Sequence, residues 1–217
     1  MSTALQICAA AYRQANLDQP LTSFSTTQEY PYNLAIDLIN HVIDEVNRFG
    51  YFWFTETLTS LNYGSGVYQY NLSSLGVDGK SIIVIRRHSP SATGNLTPMN
   101  YQAFQRRFRP VAATTAEPAY WARFGNNIEL DVIPKQDYQL GIYHYRDMPN
   151  VVTEADALLL PVVHEDILQE GVLAYLCDRL GRSNAGQKYQ LFLSKLSQLK
   201  AQNSKELAMP TQMPASF

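Results

Sequence analysis

The sequence predicts an α+β fold in which N- and C-terminal helices form one bundle and an antiparallel β-rich lobe is inserted between them. Apolar residues recur with the 3.6-residue helical period up to Phe49 and again from Pro161, whereas between these segments they alternate with a period of two. Hydrophobic residues make up 46% of the 217-residue chain, enough to build a core without cross-links. Neither helical segment has enough partners to bury its apolar stripe alone, so the two should meet. This places a helical domain over 1–50 and 160–203, the lobe over 51–159 and an extended C-terminal tail over 204–217.

Ser2 or Thr3 caps a first helix that carries Ala4, Leu5, Ile7, Cys8, Ala11, Tyr12 and Ala15 on its face and ends before Pro20. A second helix follows Pro31, with Leu34, Leu38, Ile39, Val42, Ile43, Val46 and Phe49 opposite Asp37, Asp44 and Glu45, and Gly50 as its stop. Tyr51 to Leu58 and Val67 to Leu72 alternate as strands do. The turn at Asp78-Gly79 leads into Ser81 to Ile85, a β-branched run of the kind that fills buried strands. A short helix is expected from Pro98 through Phe108, then strands at Tyr120 to Phe124, Ile128 to Ile133 and Tyr138 to Tyr145. From Pro161 the helical stripe is Val162, Val163, Ile167, Leu168, Val172, Leu173, Leu176 and Leu180, closed by Gly181. A last helix starts near Asn184 and carries Tyr189, Phe192, Leu193, Leu196 and Leu199; past Asn203 the periodicity stops, and Pro210 and Pro214 suit an extended segment.

Charged residues are only 17% of the chain, while tyrosine contributes 14 residues, a balance that suits protein interfaces and favours a subunit of an assembly. The net charge of −2 gives no long-range attraction for nucleic acid or membranes. Its distribution is uneven: Lys80, Arg86, Arg87, Arg106, Arg107 and Arg109 occur between Lys80 and Ala116 with no Asp or Glu among them. That block points to the channel of a nucleic acid backbone or to an acidic partner surface. Cys8 and Cys177 sit in apolar periodic segments, as buried reduced thiols do. The amino-terminal run lacks a basic leader, and no apolar stretch reaches the ~18 residues of a membrane span, so neither export nor insertion is expected.

The search for chemistry yields no catalytic, cofactor or metal site. Gly76 to Ser81 ends like a phosphate-binding loop, but Ser74 stands where its first glycine belongs and a strand follows instead of a helix. His41, His88, His144 and His164 have no metal-ligand spacing, and His41 with Glu45 reads as a solvated helical pair. Gly64-Ser65-Gly66 lacks the five-residue nucleophile elbow. Glu165, Asp166 and Glu170 lie where acids complement a helix dipole rather than where a glycosidase pair is needed.

An ordered set of motifs carries more information. Met99-Asn100-Tyr101-Gln102-Ala103-Phe104, Glu117-Pro118-Ala119-Tyr120-Trp121, Gly125-Asn126-Asn127-Ile128-Glu129-Leu130, Pro134 to Leu140, Tyr143 to Pro149 and Leu158-Leu159-Leu160-Pro161 occur in an order and spacing that resembles the head-to-tail adaptor proteins of tailed bacteriophages. The resemblance covers nearly the whole chain. It implies a virion subunit, assembled in the host cytoplasm, which forms a twelvefold ring under the portal protein, extends the DNA channel and offers a platform for tail or nozzle proteins. It implies no reaction, and it implies that a C-terminal tail reaches into portal grooves. Leu207, Met209, Met213 and Phe217 are the anchors this sequence offers for that docking, and Arg86, Arg87, Arg106, Arg107 and Arg109 are the candidates for contact with the channel or an acidic neighbour. The contrasting readings are a peptidoglycan-degrading tail accessory protein, which needs a carboxylate pair in a cleft, and a nucleic-acid-binding regulator, which needs salt-dependent affinity through the basic block.

Overall fold

The computed structural model describes residues 2–17, 19–25, 28–64, 66–78, 81–88, 93–108 and 115–208, with the side chains of 63, 138 and 205–208 left aside. In chain order the elements are α1 (Ala4–Gln14), α2 (Ala35–Phe49), β1 (Glu56–Tyr63), β2 (Gln69–Asn71), β3 (Ile82–His88), β4 (Gly94–Asn95), β5 (Thr97–Met99), α3 (Tyr101–Phe108), β6 (Thr115–Ala116), β7 (Tyr120–Phe124), β8 (Asn127–Leu130), β9 (Ile133–Pro134), β10 (Tyr138–Tyr145), α4 (Glu165–Arg179) and α5 (Ala185–Ala208). The class is α+β, and the chain divides into two compact units: Met1–Thr55 with Asp147–Phe217, and Glu56–Arg146.

In the helical unit, Thr3 caps α1 reciprocally with Gln6: its hydroxyl accepts from the Gln6 N–H at 3.3 Å and its own N–H donates to the Gln6 Oε1 at 2.9 Å. The buried faces of α1 and α2 are the stripes read from the sequence, Ala4, Ile7, Cys8, Ala11 and Tyr12 on the first and Leu38, Ile39, Val42, Ile43 and Val46 on the second. Helix α4 packs against α1, α2 and α5, so it buries residues around most of its circumference. Gly171 permits this crowding: a Cβ there would lie 2.6 Å from Val42 Cγ1 and 3.0 Å from Phe192 Cε2. Two asparagines one heptad apart on α2 hold the segment that follows the β unit. Asn47 both donates to Met148 O and accepts from Met148 N (3.0 and 2.9 Å), and Asn40 does the same with Val151 (3.0 and 2.7 Å).

Two helix ends differ from the sequence expectation. Val162 and Val163 belong to a 3-10 turn ahead of α4 and are exposed rather than part of its buried stripe. Helix α5 continues to Ala208, so the extended segment does not begin at 204. Within the longer helix, Asn203 is buried where the α5 stripe would place another leucine. Its Oδ1 accepts from the Trp53 N–H at 2.8 Å and its Nδ2 donates to the Tyr51 carbonyl at 2.9 Å, which satisfies backbone groups next to the 3-10 turn Trp53–Thr55.

The β unit contains two four-stranded sheets, ordered β1-β10-β3-β4 and β2-β8-β7-β5, and a two-stranded pair of β6 with β9. The first sheet is antiparallel throughout; β5 joins β7, and β6 joins β9, in parallel. Leu72, Val77, Ile85, Leu96, Trp121, Ile128, Leu130, Leu140 and Ile142 form the core. The expected strand at Tyr51 is replaced by the 3-10 turn, and β1 runs instead from Glu56 to Tyr63. The β-branched run at Ser81 is not buried on both faces: pairing passes from Val84–Tyr143 to Ile82–His144, leaving Ile83 as the extra residue of a bulge and 46% exposed. Residues 97–99 form β5 rather than the start of a helix, and the stretch after Ile128 splits into β8 and β9.

Candidate functional site

Among the described residues, the two strand arginines of the acid-free stretch do not share one surface. Arg86 and Arg87 are neighbours on β3, so they point to opposite faces of the sheet. Arg87 lies opposite the buried Leu140, with its Nη1 donating to the Pro118 carbonyl at 2.8 Å and standing 3.5 Å from the Glu117 carboxylate; its side chain is 14% exposed. Glu117 is the first residue past the acid-free window, and folding returns it to the block. Arg86 lies opposite Gly141 and Asn95 on the other face and makes no ion pair among the described residues.

Helix α3 brings Arg106 and Arg107 together at its exposed last turn, where cations complement the helix dipole. The Arg107 guanidinium lies 5.2 Å from the ring centres of both Phe108 and Tyr120. The helix is seated on the outer face of the second sheet by the buried Phe104, by Tyr101 stacked on Phe124 at 4.6 Å, and by Gln105 donating to Glu129 at 3.3 Å. Arg123 on β7 is a further exposed cation that no sequence pattern marked. Lys80, Arg109, Met209, Met213 and Phe217 lie outside the described residues, and Leu207 is placed by its backbone at the end of α5.

The groups weighed for chemistry have structural work. The Glu165 carboxylate accepts from the Ser2 N–H and hydroxyl at 2.8 and 2.6 Å, which ties the chain start to α4 and holds its carboxyl below the usual range despite the opposing effect of burial. Asp166 and Glu170 both pair with Lys195 on α5, at 2.7 and 3.5 Å. His41 is exposed and Glu45 half-buried, and both are engaged beyond a mutual helical pair: the His41 ring meets Tyr175 edge-on at 4.5 Å, and Glu45 accepts hydrogen bonds from the Tyr175 and Tyr189 hydroxyls. Burial, followed by the Glu45 contacts, pushes the Tyr175 phenol up. Surface concavities of about 330 and 310 Å³ flank Tyr175, the first against Ala185 and Gly186 and the second against Asp37 and His41.

His144 is buried in the first sheet of the β unit. Its Nδ1 lies 3.0 Å from the Tyr145 carbonyl, which can only accept, so Nδ1 carries a proton, and Nε2 lies 2.9 Å from the Thr59 hydroxyl, which can serve as donor or acceptor. Among the described residues no three His, Cys, Asp or Glu side chains converge as metal ligands, and no helix is long and apolar enough to cross a membrane. The exposed features among the described residues are an Arg and aromatic patch over α3 and β7, and Arg86, without an ion pair, on the outer face of the first sheet.

No curated protein matches the chain. The family model described as SU10 adaptor protein matches residues 2–214, both units and all elements of the fold. On that match the chain belongs to the SU10 adaptor protein family, structural adaptors of bacteriophage virions.

Proposed function

We propose that this adaptor assembles as a ring of twelve subunits under the portal protein, extends the channel through which DNA passes, and carries the tail or nozzle protein below it, without catalysing a reaction. The family match over residues 2–214 is the observation that supports this reading. Arg86, Arg106, Arg107 and Arg109 are assigned to the channel wall or an acidic neighbour, while Arg87 keeps the structural role its partners Pro118 and Glu117 give it. Leu207, Met209, Met213 and Phe217 are assigned to docking the portal. An apolar anchor contributes ~1.5–3 kcal/mol when fully buried, less the cost of ordering the segment, so a single tail binds weakly and a ring of tails binds firmly.

Electron imaging of the chain mixed with purified portal rings tests the reading. Ring-shaped density added to one end of the portal is expected, with twelve repeats. Absence of any association at micromolar concentration overturns it.

A further inference from the structure

We propose that the outer edge of β1 is a strand-acceptor site, which holds the adaptor's tail-side partner by taking an extended segment of that protein as a fifth strand of the β1-β10-β3-β4 sheet. β1 is eight residues long and, among the described residues, is the terminal strand of this sheet and pairs only with β10. Which backbone groups it leaves open follows from the ladder. The Tyr145 N–H donates to the Ser81 carbonyl on the β3 side at 3.0 Å, so the odd-numbered residues of β10 point toward β3 and the even-numbered ones toward β1. His144, Ile142 and Leu140 pair with Thr57, Thr59 and Leu61. The N–H and C=O groups of Glu56, Leu58, Ser60 and Asn62 therefore point away from the sheet, and among the described residues no backbone group bonds to those of Leu58, Ser60 or Asn62.

Natural edges of this length are ordinarily blunted by lysine, proline, a bulge or a covering segment. β1 reads Glu-Thr-Leu-Thr-Ser-Leu-Asn-Tyr, with neither lysine nor proline and an unshifted register along its whole length. The bulge of this sheet lies on β3, where it does not disturb the β1 edge. Four donors and four acceptors in a row at strand spacing are complemented by another polypeptide strand and by no nucleic acid or lipid. Side chains define its chemistry: Leu58 is 49% exposed and stands opposite Tyr143, while Glu56 is the only charge on the strand. The incoming strand is uncharged or basic and sets an apolar residue beside Leu58.

A second copy is a poor occupant. The opposite edge of the same sheet, β4, is two residues long and cannot complement eight, and β1 on β1 generates a twofold dimer that does not propagate around a ring. This inference rests on the reading of the chain as a tail-carrying adaptor, and its test separates the two.

Residue-resolved hydrogen exchange is compared between the isolated chain and the purified virion. In the isolated chain the Leu58, Ser60 and Asn62 amides exchange fast and those of Thr57, Thr59 and Leu61 slowly; in the virion the first three slow by tenfold or more. Ser60→Pro removes one outward N–H without touching the β10 ladder, and Ser60→Lys charges the edge as a second route to the same block. Both variants are expected to melt like the parent and to build rings on the portal, yet to lose the tail protein from the particles. Normal tail retention by both variants, or even-numbered amides that stay fast in the virion, overturns the acceptor site. So does concentration-dependent protection in the isolated chain, which marks a second copy, or protection there that disappears on removal of residues 209–217, which marks the chain's own end. Failure of the parent chain to join portal rings overturns the adaptor-ring reading instead.

Discussion

Gly171 shows how one residue sets the spacing of three helices. With Val42 on α2 and Phe192 on α5 both within 3.0 Å of an added Cβ, Gly171→Ala must separate elements that are fully buried. Alanine is the better helix former by ~1 kcal/mol, but overpacking of this kind costs ~1–3 kcal/mol, so the variant should be less stable by urea denaturation. Higher stability would show that the close approach is not real. The buried thiols behave alike at another residue scale. Cys8 is fully buried, with its thiol 3.7 Å from the Ala35 carbonyl, and burial pushes its pKa up from 9.0 to about 12. Tyr145 is likewise raised to about 12 by burial and by Glu56. A folded-state pKa above the unfolded one means that the stabilisation is complete below the unfolded pKa and is lost as pH rises through the folded one. Melting temperature should therefore hold near neutral pH and fall progressively above about pH 9. Cys8 and Cys177 should react with a thiol reagent in denaturant but not in the native chain.

At the scale of elements, the alternation of β3 gives its two arginines different roles. Arg87→Ala removes the donor to the carbonyl of the buried Pro118 together with the Glu117 ion pair, and the expected loss is ~1–3 kcal/mol, read from thermal melts. Arg86→Glu should change stability by no more than ~0.5 kcal/mol while impairing assembly or DNA retention; DNA-filled particles in normal yield would make Arg86 a bystander. The end of α5 divides in the same way. Removing residues 209–217 should leave the melting curve unchanged and abolish co-sedimentation with portal rings. Removing 204–217 also strips the final helical turns next to Asn203, whose bonds to Trp53 and Tyr51 then fray, so that chain should melt at a lower temperature. Equal melting of the two truncations would count against Asn203 as a clamp.

For the whole molecule, a composition low in charge and rich in tyrosine suits contact with other protein surfaces. Each side-by-side contact in a ring must offset the loss of rotational and translational freedom, and a template that pre-positions the subunits removes most of that cost. Light scattering should therefore report a monomer or weak oligomers for the isolated chain and a portal-sized complex after mixing. A stable dimer that ignores the portal would be incompatible with the proposed ring and would direct attention to β1 as a self-pairing edge.

Patterns local in the chain determined much of this protein without tertiary information. The stripes of α1 and α2 appear in the sequence because a helix repeats its buried face every 3.6 residues, and β7 and β10 lie where alternation put them. The ordered motifs from Met99 to Pro161 resemble phage adaptors, and the family match over residues 2–214 agrees with that resemblance. Tertiary structure alone decided what polar residues do. Asn40, Asn47 and Asn203 look solvated in one dimension, yet each is held by backbone groups about 100 or more residues away, and a hydrogen bond of that span leaves no local periodicity. The acid-free block was divided for the same reason: sequence distance is not spatial distance, so Glu117 returns to Arg87 while strand alternation carries Arg86 to the other face. The place of β1 at the end of its sheet among the described residues has no sequence signature either, because alternation shows that a segment is a strand while strand order decides which strands lie at an edge.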